Sequence, residues 1–573
     1  MCGIFFYYNN KQIENIQNIK HAYETIKPRG PENTTVQVGK NTIYCFHRLA
    51  INNTSEDCNQ PFQYVDEERV LENNETFRVM CNGEIYNWRQ LQTQYSLTLK
   101  NENDCGVIYP LFKHFNYNFE ETLKHLDGEF AIVIVKENHE GVQDIWFATD
   151  LCSVRPLFYT FDEINKTIVL SSLLSGISNI NHITSVIKRV DGGVAYHFNK
   201  SLVKIKTCIY DYSITLKKQL YSDVLCLTKD YYIVQNIDPR QPEDYFDGII
   251  EKLTNAVYKR ICDDNKSRPL GCLLSGGLDS SLVAAIAAKF LSVQNKKLQT
   301  FSIGMKGSTD LYYAKKVADF IGSVHREVIF TAEEGINAIN EVIKTTETYD
   351  ITTIRASVGQ YLLSKWITEN TDIKILLNGD GADECQMGYL YFFKAPTDLD
   401  GQMDSINLVK QIHYFDGLRV DRNISHHGLE ARVPYLDKEF VNYFLNEVPA
   451  KYKLPTTFNC EKYMIRKAFE KLNILPSEVL WRRKEAFSDG VSSLEKSWFE
   501  ILLENFEKSD VPDKLDRDLN PPYTRESCYY RMKFEEYFKE RNTNVIPRFW
   551  LPSWTSERDP SARKLKEIYT KKD

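Results

Sequence analysis

The first side chain able to do covalent chemistry is that of Cys2, which directly follows the initiator methionine. A small residue at this position permits removal of Met1, and the chain would then begin with a thiol and an α-amine on the same residue. A free α-amine has a pKa near 8 and a free thiol one of about 8.5. Part of the amine is therefore unprotonated at neutral pH and can accept the thiol proton. The pattern predicts an N-terminal nucleophile that supplies its own base.

A second candidate site is a loop rich in glycine and serine, Ser275-Gly276-Gly277-Leu278-Asp279-Ser280-Ser281. Glycines let the backbone approach an anion, and serine hydroxyls and the N–H groups at the start of a helix donate hydrogen bonds to it. The chain contains no G-x-x-x-x-G-K-[ST] loop, the common phosphate-binding alternative. Asp279 instead offers a hard oxygen ligand to Mg²⁺. The loop predicts a pyrophosphate site that works with Mg²⁺.

The elements around Cys2 are predicted to be mainly strands. Short β-rich runs are separated by clusters of Asn, Gly and Asp, and Asp104 to Phe115 is predicted to be a helix. The predicted strands are Thr42–Cys45, Phe77–Cys81, Phe130–Lys136, Ile145–Ala148, Pro156–Phe161 and Thr167–Leu170. This pattern suits two packed sheets with a few covering helices.

The second half of the chain has a different predicted pattern of secondary structure. Residues 206–243 lose periodicity and end at Asp238-Pro239-Arg240-Gln241-Pro242, which predicts a linker. Beyond it, apolar strands alternate with helices, as in a doubly wound parallel sheet. The predicted strands are Leu270–Leu274, Leu298–Ile303, Val324–Phe330 and Ile373–Leu377, with helices ending at Leu291 and covering Tyr312–Ile321.

Composition excludes several classes of protein. The 573 residues carry a formal charge of −7, which argues against a dedicated nucleic-acid binder. No apolar run is long enough to span a membrane, and the N-terminus lacks the features of a signal peptide. The 13 cysteines contain no C-x-x-C pair, and the 11 histidines show no zinc spacing. We expect a soluble cytoplasmic protein with reduced thiols.

The motifs that follow Cys2 resemble the class II glutamine amidotransferase domain, an N-terminal-nucleophile hydrolase of four-layer αββα form. The resemblance covers about residues 2–200 and rests on Arg29-Gly30-Pro31, His47-Arg48-Leu49-Ala50-Ile51, Asn82-Gly83-Glu84-Ile85-Tyr86-Asn87 and Asn103-Asp104-Cys105. It implies that Arg48 binds the glutamine α-carboxylate, and that Glu84 and Asp104 bind the α-ammonium. A guanidinium suits a carboxylate, and carboxylates suit an ammonium. The Asn82 amide, which also belongs to the implied glutamine site, and the Gly83 N–H would form the oxyanion hole.

This half departs from the family at one turn. The usual Arg-Asp-x-x-Gly reads Thr149-Asp150-Leu151-Cys152-Ser153 here. Loss of an arginine and a glycine puts local packing, or contact with the second domain, in doubt.

The loop at 275–281 is similar to that of the ATP pyrophosphatases, and the rest of the chain resembles glutamine-hydrolysing asparagine synthetases. The residues that carry this resemblance are 347–357, 388–396, 428–437, 483–490 and 559–563. It implies that Asp279 and Asp383 bind Mg²⁺ and pyrophosphate, and that Lys484 stabilises charge on the phosphates and the tetrahedral intermediate. The implied ATP site comprises Leu273, Ser275, Gly276, Gly277, Asp279, Ser280, Ile303, Asn378 and Gly379. Thr352, Thr353 and Arg355 would face aspartate and the phosphates.

One departure lies close to this chemistry. The family's Ser-Gly-Glu-Gly-Ser-Asp-Glu reads Asn378-Gly379-Asp380-Gly381-Ala382-Asp383-Glu384, and the usual Phe-Gly-Gly reads Gln386-Met387-Gly388. Asp380 keeps the negative charge but is one methylene shorter, and misplacement by about 1 Å can reduce a rate roughly 10²-fold. We expect a working but slower synthetase with Asp380 among its catalytic residues.

The resemblance implies three regions and a two-part reaction. A glutaminase domain spans 2–205, a linker 206–243 and a synthetase domain 244–573. Cys2 would release ammonia from glutamine, and ATP would convert aspartate to β-aspartyl-AMP, which ammonia converts to asparagine. The family also implies an enclosed path for ammonia and, as an expectation from the family alone, a homodimer.

Two alternatives stay open at this point. A related enzyme could adenylate a different carboxylate, as in the β-lactam synthetase branch, although that branch typically lacks Cys2. A degenerate chain could bind nucleotide or a partner without catalysis, although Cys2, Asp279, Asp383 and Lys484 are all present.

Overall fold

The strand that follows Cys2 lies inside its sheet and is buried on both faces. In a computed structural model, residues 1–11, 13, 16–65, 75–199, 201, 204–209, 240–261, 268–485, 487–493 and 495–556 are described. The first strand, β1 (Gly3–Asn9), reads Gly-Ile-Phe-Phe-Tyr-Tyr-Asn. Alternate side chains of a strand point to opposite faces. Ile4, Phe6 and Tyr8 therefore pack in one apolar core, and Phe5 and Tyr7 in another.

Two antiparallel six-stranded sheets make up the described N-terminal half, in the orders β10-β8-β9-β1-β3-β2 and β12-β11-β7-β6-β5-β4. After β1, the strands are β2 (Asn33–Val38), β3 (Thr42–Arg48), β4 (Phe62–Val65), β5 (Thr76–Ile85), β6 (Gly128–Asn138), β7 (Gly141–Thr149), β8 (Phe158–Asp162), β9 (Thr167–Ser171), β10 (Lys188–Arg189), β11 (Val194–Phe198) and β12 (Lys204–Cys208). All six predicted strands of this half are confirmed.

Helices cover the outer faces of the two sheets, so the layers follow the predicted αββα order. They are α1 (Ile16–Glu24), α2 (Trp88–Gln94), α3 (Ile108–His114), α4 (Phe119–His125) and α5 (Ser175–Ser178). The predicted helix from Asp104 begins as a 3₁₀ turn over Asp104–Val107 and continues as α3. One core lies between the sheets around Phe46, Met80 and Phe147, and another lies beneath α3 around Phe112 and Ile132.

A parallel five-stranded sheet organises the C-terminal half, with the order β15-β14-β13-β16-β17. Its strands are β13 (Leu270–Leu273), β14 (Gln299–Gly304), β15 (Val324–Ile329), β16 (Ile375–Leu377) and β17 (Glu430–Arg432). The four predicted strands are confirmed, and the sheet is of the expected parallel kind. The sequence analysis did not anticipate β17, which is short and carries two charged residues.

Helices pack around this sheet and extend to the end of the described chain. They are α6 (Phe246–Ile261), α7 (Leu278–Val293), α8 (Thr309–Ile321), α9 (Ala332–Thr346), α10 (Ile351–Asn370), α11 (Ala382–Gln386), α12 (Asp398–Gln411), α13 (Asp416–Ser425), α14 (Lys438–Asn446), α15 (Ala450–Lys453), α16 (Pro455–Phe458), α17 (Tyr463–Glu470), α18 (Ser477–Leu480), α19 (Phe487–Gly490), α20 (Trp498–Glu507) and α21 (Arg525–Phe538).

The topology brings two functional loops together. β13 and β16 are parallel neighbours, with Cys272 opposite Leu377. Because the carboxyl ends of parallel strands meet at one edge of the sheet, the loop at 275–281 and the loop at 378–384 lie side by side. A ligand bound at this edge can contact both loops.

Most of the predicted linker lies outside the described residues, which omit 210–239, and so does the motif at 559–563. Within the described part, β12 pairs with β11 up to Cys208 and belongs to the N-terminal sheet. The domain boundaries at 205 and 244 stay predictions.

Candidate active sites

Cys2 lies at the start of β1, where it contacts two segments of the N-terminal half. Its backbone N–H donates to Asn82 Oδ1 at 2.7 Å, and its Sγ lies 3.6 Å from the carbonyl oxygen of Leu49. Met1 precedes it, and the Met1 ammonium donates to the carbonyl oxygen of Leu429 at 3.3 Å. Burial raises the pKa of the Cys2 thiol to about 11. With Met1 in place, Cys2 has no α-amine and its thiol is protonated at neutral pH.

Asn82 and Gly83 are adjacent on β5 beside Cys2. Asn82 is fully buried, and its Nδ2 has no hydrogen-bond partner among the described residues. A buried donor without a partner is costly unless a ligand completes it. Gly83 has φ +148°, and a Cβ there would lie 2.0 Å from the carbonyl oxygen of Glu129. The position therefore requires glycine, and the pair is suited to the predicted oxyanion hole.

Arg48 ends β3 and is held by the loop that follows. Its guanidinium donates to the carbonyl oxygens of Asn53 and Ser55, the latter at 2.7 Å, and to Asn59 Oδ1 at 2.8 Å. These bonds fix the orientation of the guanidinium in the cavity that Cys2 also lines. A guanidinium held in this way can meet a carboxylate without a large loss of side-chain entropy.

Glu84 and Asp104 line the same cavity. Asp104 Oδ2 accepts from the backbone N–H of Ile85 at 2.8 Å, and Glu84 Oε2 accepts from Asn52 Nδ2 at 2.6 Å. Burial raises the pKa of Asp104 above its ordinary value. The structure therefore brings together Cys2, Arg48, Gly83, Glu84 and Asp104, as predicted, with Asn82 adjoining them.

Two residues of the C-terminal half join this cavity, and neither was predicted. Glu430 lines it directly, and Arg432 forms an ion pair with Glu84, with 3.1 Å between Nη2 and Oε2. Both lie on β17, far from Cys2 in sequence. Both belong to the motif at 428–437 that carries the family resemblance, but that motif does not indicate a partner in the N-terminal half.

The turn that departs from the family keeps its central carboxylate. Asp150 accepts backbone N–H groups from Cys152, Val154 and Arg155 at 3.0–3.1 Å. Ser153, at the position of the family's glycine, has φ +49° and is almost fully buried. Asp150 therefore holds a turn in which Ser153 adopts a strained backbone conformation.

The predicted residues of the C-terminal half meet at a cavity of about 240 Å³ at the carboxyl edge of the parallel sheet. Those that line it are Leu273, Ser275, Gly277, Asp279, Ser280, Ile303, Thr352, Arg355, Asn378, Gly379, Asp380, Asp383 and Lys484.

Gly276 and Thr353 are not among the lining residues. Gly276 has φ +70°, and a Cβ there would lie 2.4 Å from the backbone nitrogen of Ala314, so it allows the tight turn to pack on α8. The Thr353 hydroxyl donates to Asp350 Oδ2 at 2.8 Å, within the cap of α10. Both residues shape the cavity wall from behind.

Lysine side chains form ion pairs with the two carboxylates predicted to bind metal. Lys484 Nζ lies 2.5 Å from Asp383 Oδ2, and Lys462 Nζ lies 2.6 Å from Asp279 Oδ2 and 2.7 Å from Asp383 Oδ1. Although burial raises the pKa of Asp383, the two lysines hold it well below its usual value. Lys462 was missed because nothing in its local sequence distinguishes it from a solvated lysine. A Cβ on Gly388 would lie 2.2 Å from its Cε, so the Lys462 side chain requires that glycine.

Asp380 faces arginine in the same cavity. It forms an ion pair with Arg419, whose Nη2 also lies 3.4 Å from Asp416 Oδ1. Burial raises the pKa of Asp380 to about 6, and Arg419 opposes that shift. Arg419 and Asp416 were not predicted as site residues.

Arg355 lines the cavity and forms an ion pair with Glu526, which is not among the lining residues. Its Nε donates to Glu526 Oε1 at 2.8 Å, and Glu526 lies on α21. The pairing orients the guanidinium, as a carboxylate fork does.

Comparison with known proteins finds a family match for each half of the chain. A family described as glutamine amidotransferase domain matches residues 1–228, and one described as asparagine synthase matches residues 248–411 and 400–550. Glutamine-hydrolyzing asparagine synthetase of Gallus gallus is 38% identical over 99% of this chain and 99% of its own length. The proteins of that name from Rattus norvegicus and Homo sapiens are each 37% identical over 99% of this chain and 98% of their own. At this identity over nearly its whole length, the chain belongs to the glutamine-hydrolysing asparagine synthetase family.

Proposed function

We propose that this protein makes L-asparagine from L-aspartate with ATP, using ammonia that Cys2 releases from L-glutamine. The observation that carries the proposal is the pairing of two cavities through one strand. Glu430 of β17 lines the Cys2 cavity, and the carbonyl oxygen of Arg432 accepts from the N–H of Asn378 at the other cavity, at 3.0 Å. The two cavities have complementary chemistry, since one releases ammonia and the other uses it.

In the glutamine half, the Cys2 thiolate attacks the side-chain carbonyl carbon of glutamine. Arg48 holds the α-carboxylate, and Glu84 and Asp104 hold the α-ammonium. Asn82 Nδ2 and the Gly83 N–H stabilise the oxyanion, ammonia leaves, and water hydrolyses the glutamyl thioester. Removal of Met1 is required, because the free amine then accepts the thiol proton.

In the synthetase half, the aspartate β-carboxylate attacks the α-phosphorus of ATP, and the bond to the β-phosphate breaks. Leu273, Ile303 and Gly379 frame the adenosine, and the loop at 275–281 holds the phosphates. Thr352 and Arg355 face aspartate and the phosphates. Lys484 offers a fixed positive charge where negative charge develops. Ammonia then attacks the β-carbonyl carbon of β-aspartyl-AMP, and AMP leaves.

Asp279 and Asp383 suit a magnesium ion. Asp279 Oδ1 is buried without a hydrogen-bond partner among the described residues, as expected of an oxygen that awaits a ligand. Mg²⁺ binds carboxylate and phosphate oxygens and would neutralise phosphate charge when bound. Among the described residues no group of three or more His, Cys, Asp or Glu forms a complete metal cage, so substrate phosphates would complete this site.

The test is a substrate panel. Purified protein is incubated with Mg·ATP, glutamine and a series of carboxylates, and pyrophosphate, AMP and the amide product are measured. Among the carboxylates tested, we expect only aspartate to support turnover. Turnover without aspartate, or none with it, would overturn the proposal and favour an enzyme for another carboxylate or a non-catalytic binder.

Cys2→Ala separates the two half-reactions. The variant should lose glutamine-dependent synthesis and keep synthesis from added ammonia, because the second cavity does not contain Cys2. Intact mass of the wild-type protein should show the loss of Met1. A Cys2→Ala variant that still uses glutamine would exclude Cys2 as the nucleophile.

A cytoplasmic location and a homodimer complete the proposal. The sequence supports the cytoplasmic location, and the family supports the homodimer. Within the described chain, no helix is both long and apolar enough to cross a membrane.

A further inference from the structure

A side chain of the synthetase half contacts a residue of the predicted glutamine site. Arg432 is almost fully buried, and its guanidinium contacts three groups. Nη2 lies 3.1 Å from Glu84 Oε2, Nε donates to Glu430 Oε1 at 2.9 Å, and Nη1 donates to the carbonyl oxygen of Arg260 at 2.7 Å. The last two contacts lie within its own half and fix the guanidinium before it meets Glu84.

Glu84 depends on this contact because its other charged neighbours are carboxylates. Asp104, on the 3₁₀ turn before α3, and Glu430, on β17, both face it, and burial and Glu430 raise its pKa well above the ordinary value. Arg432 lowers that pKa, and Asn52 Nδ2 donates to the same Oε2 at 2.6 Å. An isolated carboxylate in such a site would take up a proton and lose its attraction for an ammonium.

We propose that Arg432 is a positioning residue for glutamine binding: from the synthetase half, it aims the Glu84 carboxylate at the site of the glutamine ammonium and favours its ionised form. The glutamine site is therefore completed by the other half of the chain. This inference rests on the proposed role of Glu84 in glutamine binding.

The same residue contacts a lining residue of each cavity, Glu84 in one and Asn378 in the other. The Arg432 carbonyl oxygen accepts from the Asn378 N–H, which begins the loop that carries Asp380 and Asp383. Arg432 lies opposite Leu377 in the β16–β17 pair, so its backbone is fixed by the sheet. The side chain serves glutamine, while the backbone supports the ATP loop. A side-chain substitution therefore tests the first role and spares the main-chain bond.

The experiment measures glutamine hydrolysis by Arg432→Met across a pH series. We expect the KM for glutamine at neutral pH to rise at least about tenfold, as for loss of one partner of a buried charged pair. The acid limb of kcat/KM should move to higher pH, because Glu84 without Arg432 ionises only at higher pH. The defect relative to wild type should therefore shrink as the pH rises. A purely structural defect would not follow that pH dependence.

Three comparisons sharpen the result. Arg432→Lys keeps the charge but loses the fork, so its KM should lie between those of wild type and Arg432→Met. Lys259→Met breaks another ion pair between the halves, to Asp127 at 2.7 Å, and should leave the KM and its pH profile unchanged. Arg432→Met should add little to the defect of Glu84→Gln, since residues that act through one group are not additive.

Synthesis from added ammonia distinguishes failure of this inference from failure of the proposed function. If wild type hydrolyses glutamine but Arg432→Met has an unchanged KM at every pH, Arg432 does not position Glu84. If glutamine- and ammonia-dependent synthesis fall together in both Arg432 variants, its role is structural and the inference is wrong. If wild type does not hydrolyse glutamine at all, the proposed function itself fails.

Discussion

Asp380 shows how a single methylene is accommodated in the synthetase cavity. The family motif has glutamate at this position, and the shorter aspartate still meets Arg419 in an ion pair. Its backbone N–H donates to Asn378 Oδ1 at 2.8 Å, so the loop keeps a local bond of its own. The charge is preserved, and only the reach of the carboxylate into the cavity differs.

Asp380→Glu should therefore preserve or raise asparagine formation. Glutamate restores the side-chain length of the family motif. Correcting a misplacement of about 1 Å can raise a rate by up to roughly 10²-fold. The measurement is kcat for ammonia-dependent synthesis, which excludes effects on glutamine use. Asp380→Asn is the matched control: it keeps the length, removes the charge opposite Arg419 and should be slower than wild type. A collapse of activity in Asp380→Glu would show that the cavity is built around the shorter side chain.

Lys462 shows what local sequence cannot indicate about a residue. Only its position between Asp279 and Asp383 distinguishes it from the many surface lysines. The ammonium balances two partly buried carboxylates, which would otherwise repel each other. Metal binding at these oxygens must therefore rearrange Lys462.

At the scale of elements, the turn after β7 is organised by Asp150, although two residues of the family motif are replaced. Asp150 caps the turn through backbone N–H groups, and the Thr149 hydroxyl donates to the carbonyl oxygen of Asp191 at 3.3 Å. Ser153 remains in the left-handed region, where a Cβ is unfavourable. Its hydroxyl donates to the carbonyl oxygen of Val190 at a long 3.4 Å.

Ser153→Gly should be more stable than Ser153→Ala by about 1 kcal/mol, because only glycine relieves the left-handed strain. Both variants lose the same hydroxyl, so their difference isolates the backbone term. Denaturant unfolding of the two proteins gives the comparison. Equal stability, or a more stable alanine variant, would mean that the turn stores no strain.

At the scale of the whole molecule, buried charges join the two halves. Arg29 of the N-terminal half pairs with Asp421 on α13 at 2.7 Å, and the two side chains are 1% and 0% exposed. Arg29 Nε also donates to the carbonyl oxygen of Cys2 at 2.9 Å. Glu347 of the C-terminal half accepts from the N–H groups of Leu174 and Ser175 at the start of α5. The interface therefore positions the nucleophile as well as the domains.

Asp421→Asn should destabilise the protein by about 3–5 kcal/mol, since it leaves Arg29 and Arg422 buried without their carboxylate. Unfolding monitored in denaturant measures the loss, and glutamine use should weaken because Arg29 holds Cys2. A surface pair provides the control: Lys467→Met, opposite Glu470, should leave the stability close to that of wild type, because solvent screens exposed ion pairs.

The same pair predicts a pH dependence. Although burial raises the pKa of Asp421, Arg29 holds it well below the ordinary value. A carboxylate whose pKa is lower in the folded than in the unfolded protein stabilises the fold. This stabilisation is fully present above the pKa of the unfolded state, about 4, and is lost as the pH falls below it. Wild type should lose this contribution on acidification, and Asp421→Asn should not. Parallel acid unfolding curves for the two proteins would contradict the assignment.

Local patterns were sufficient for much of the architecture. Buried strands with continuous apolar runs, such as β6 and β16, were predicted because their periodicity depends only on neighbouring residues. Loops such as 275–281 were predicted because anion binding needs glycines and serines in consecutive positions. β17 was missed because two of its three residues are charged, and only their distant partners make burial favourable.

The sequence by itself determined the two chemistries: a thiol at the second position, a pyrophosphate loop, and the residues that surround each. These depend on residue types at short spacing, which a linear chain displays directly. Only the tertiary structure decided how the chemistries meet. It placed Arg432 on Glu84, Lys462 between the two carboxylates predicted to bind metal, and Arg29 between Cys2 and Asp421. Such pairs join residues that are distant along the chain, and burial makes their charges interact strongly, so no local pattern can reveal them.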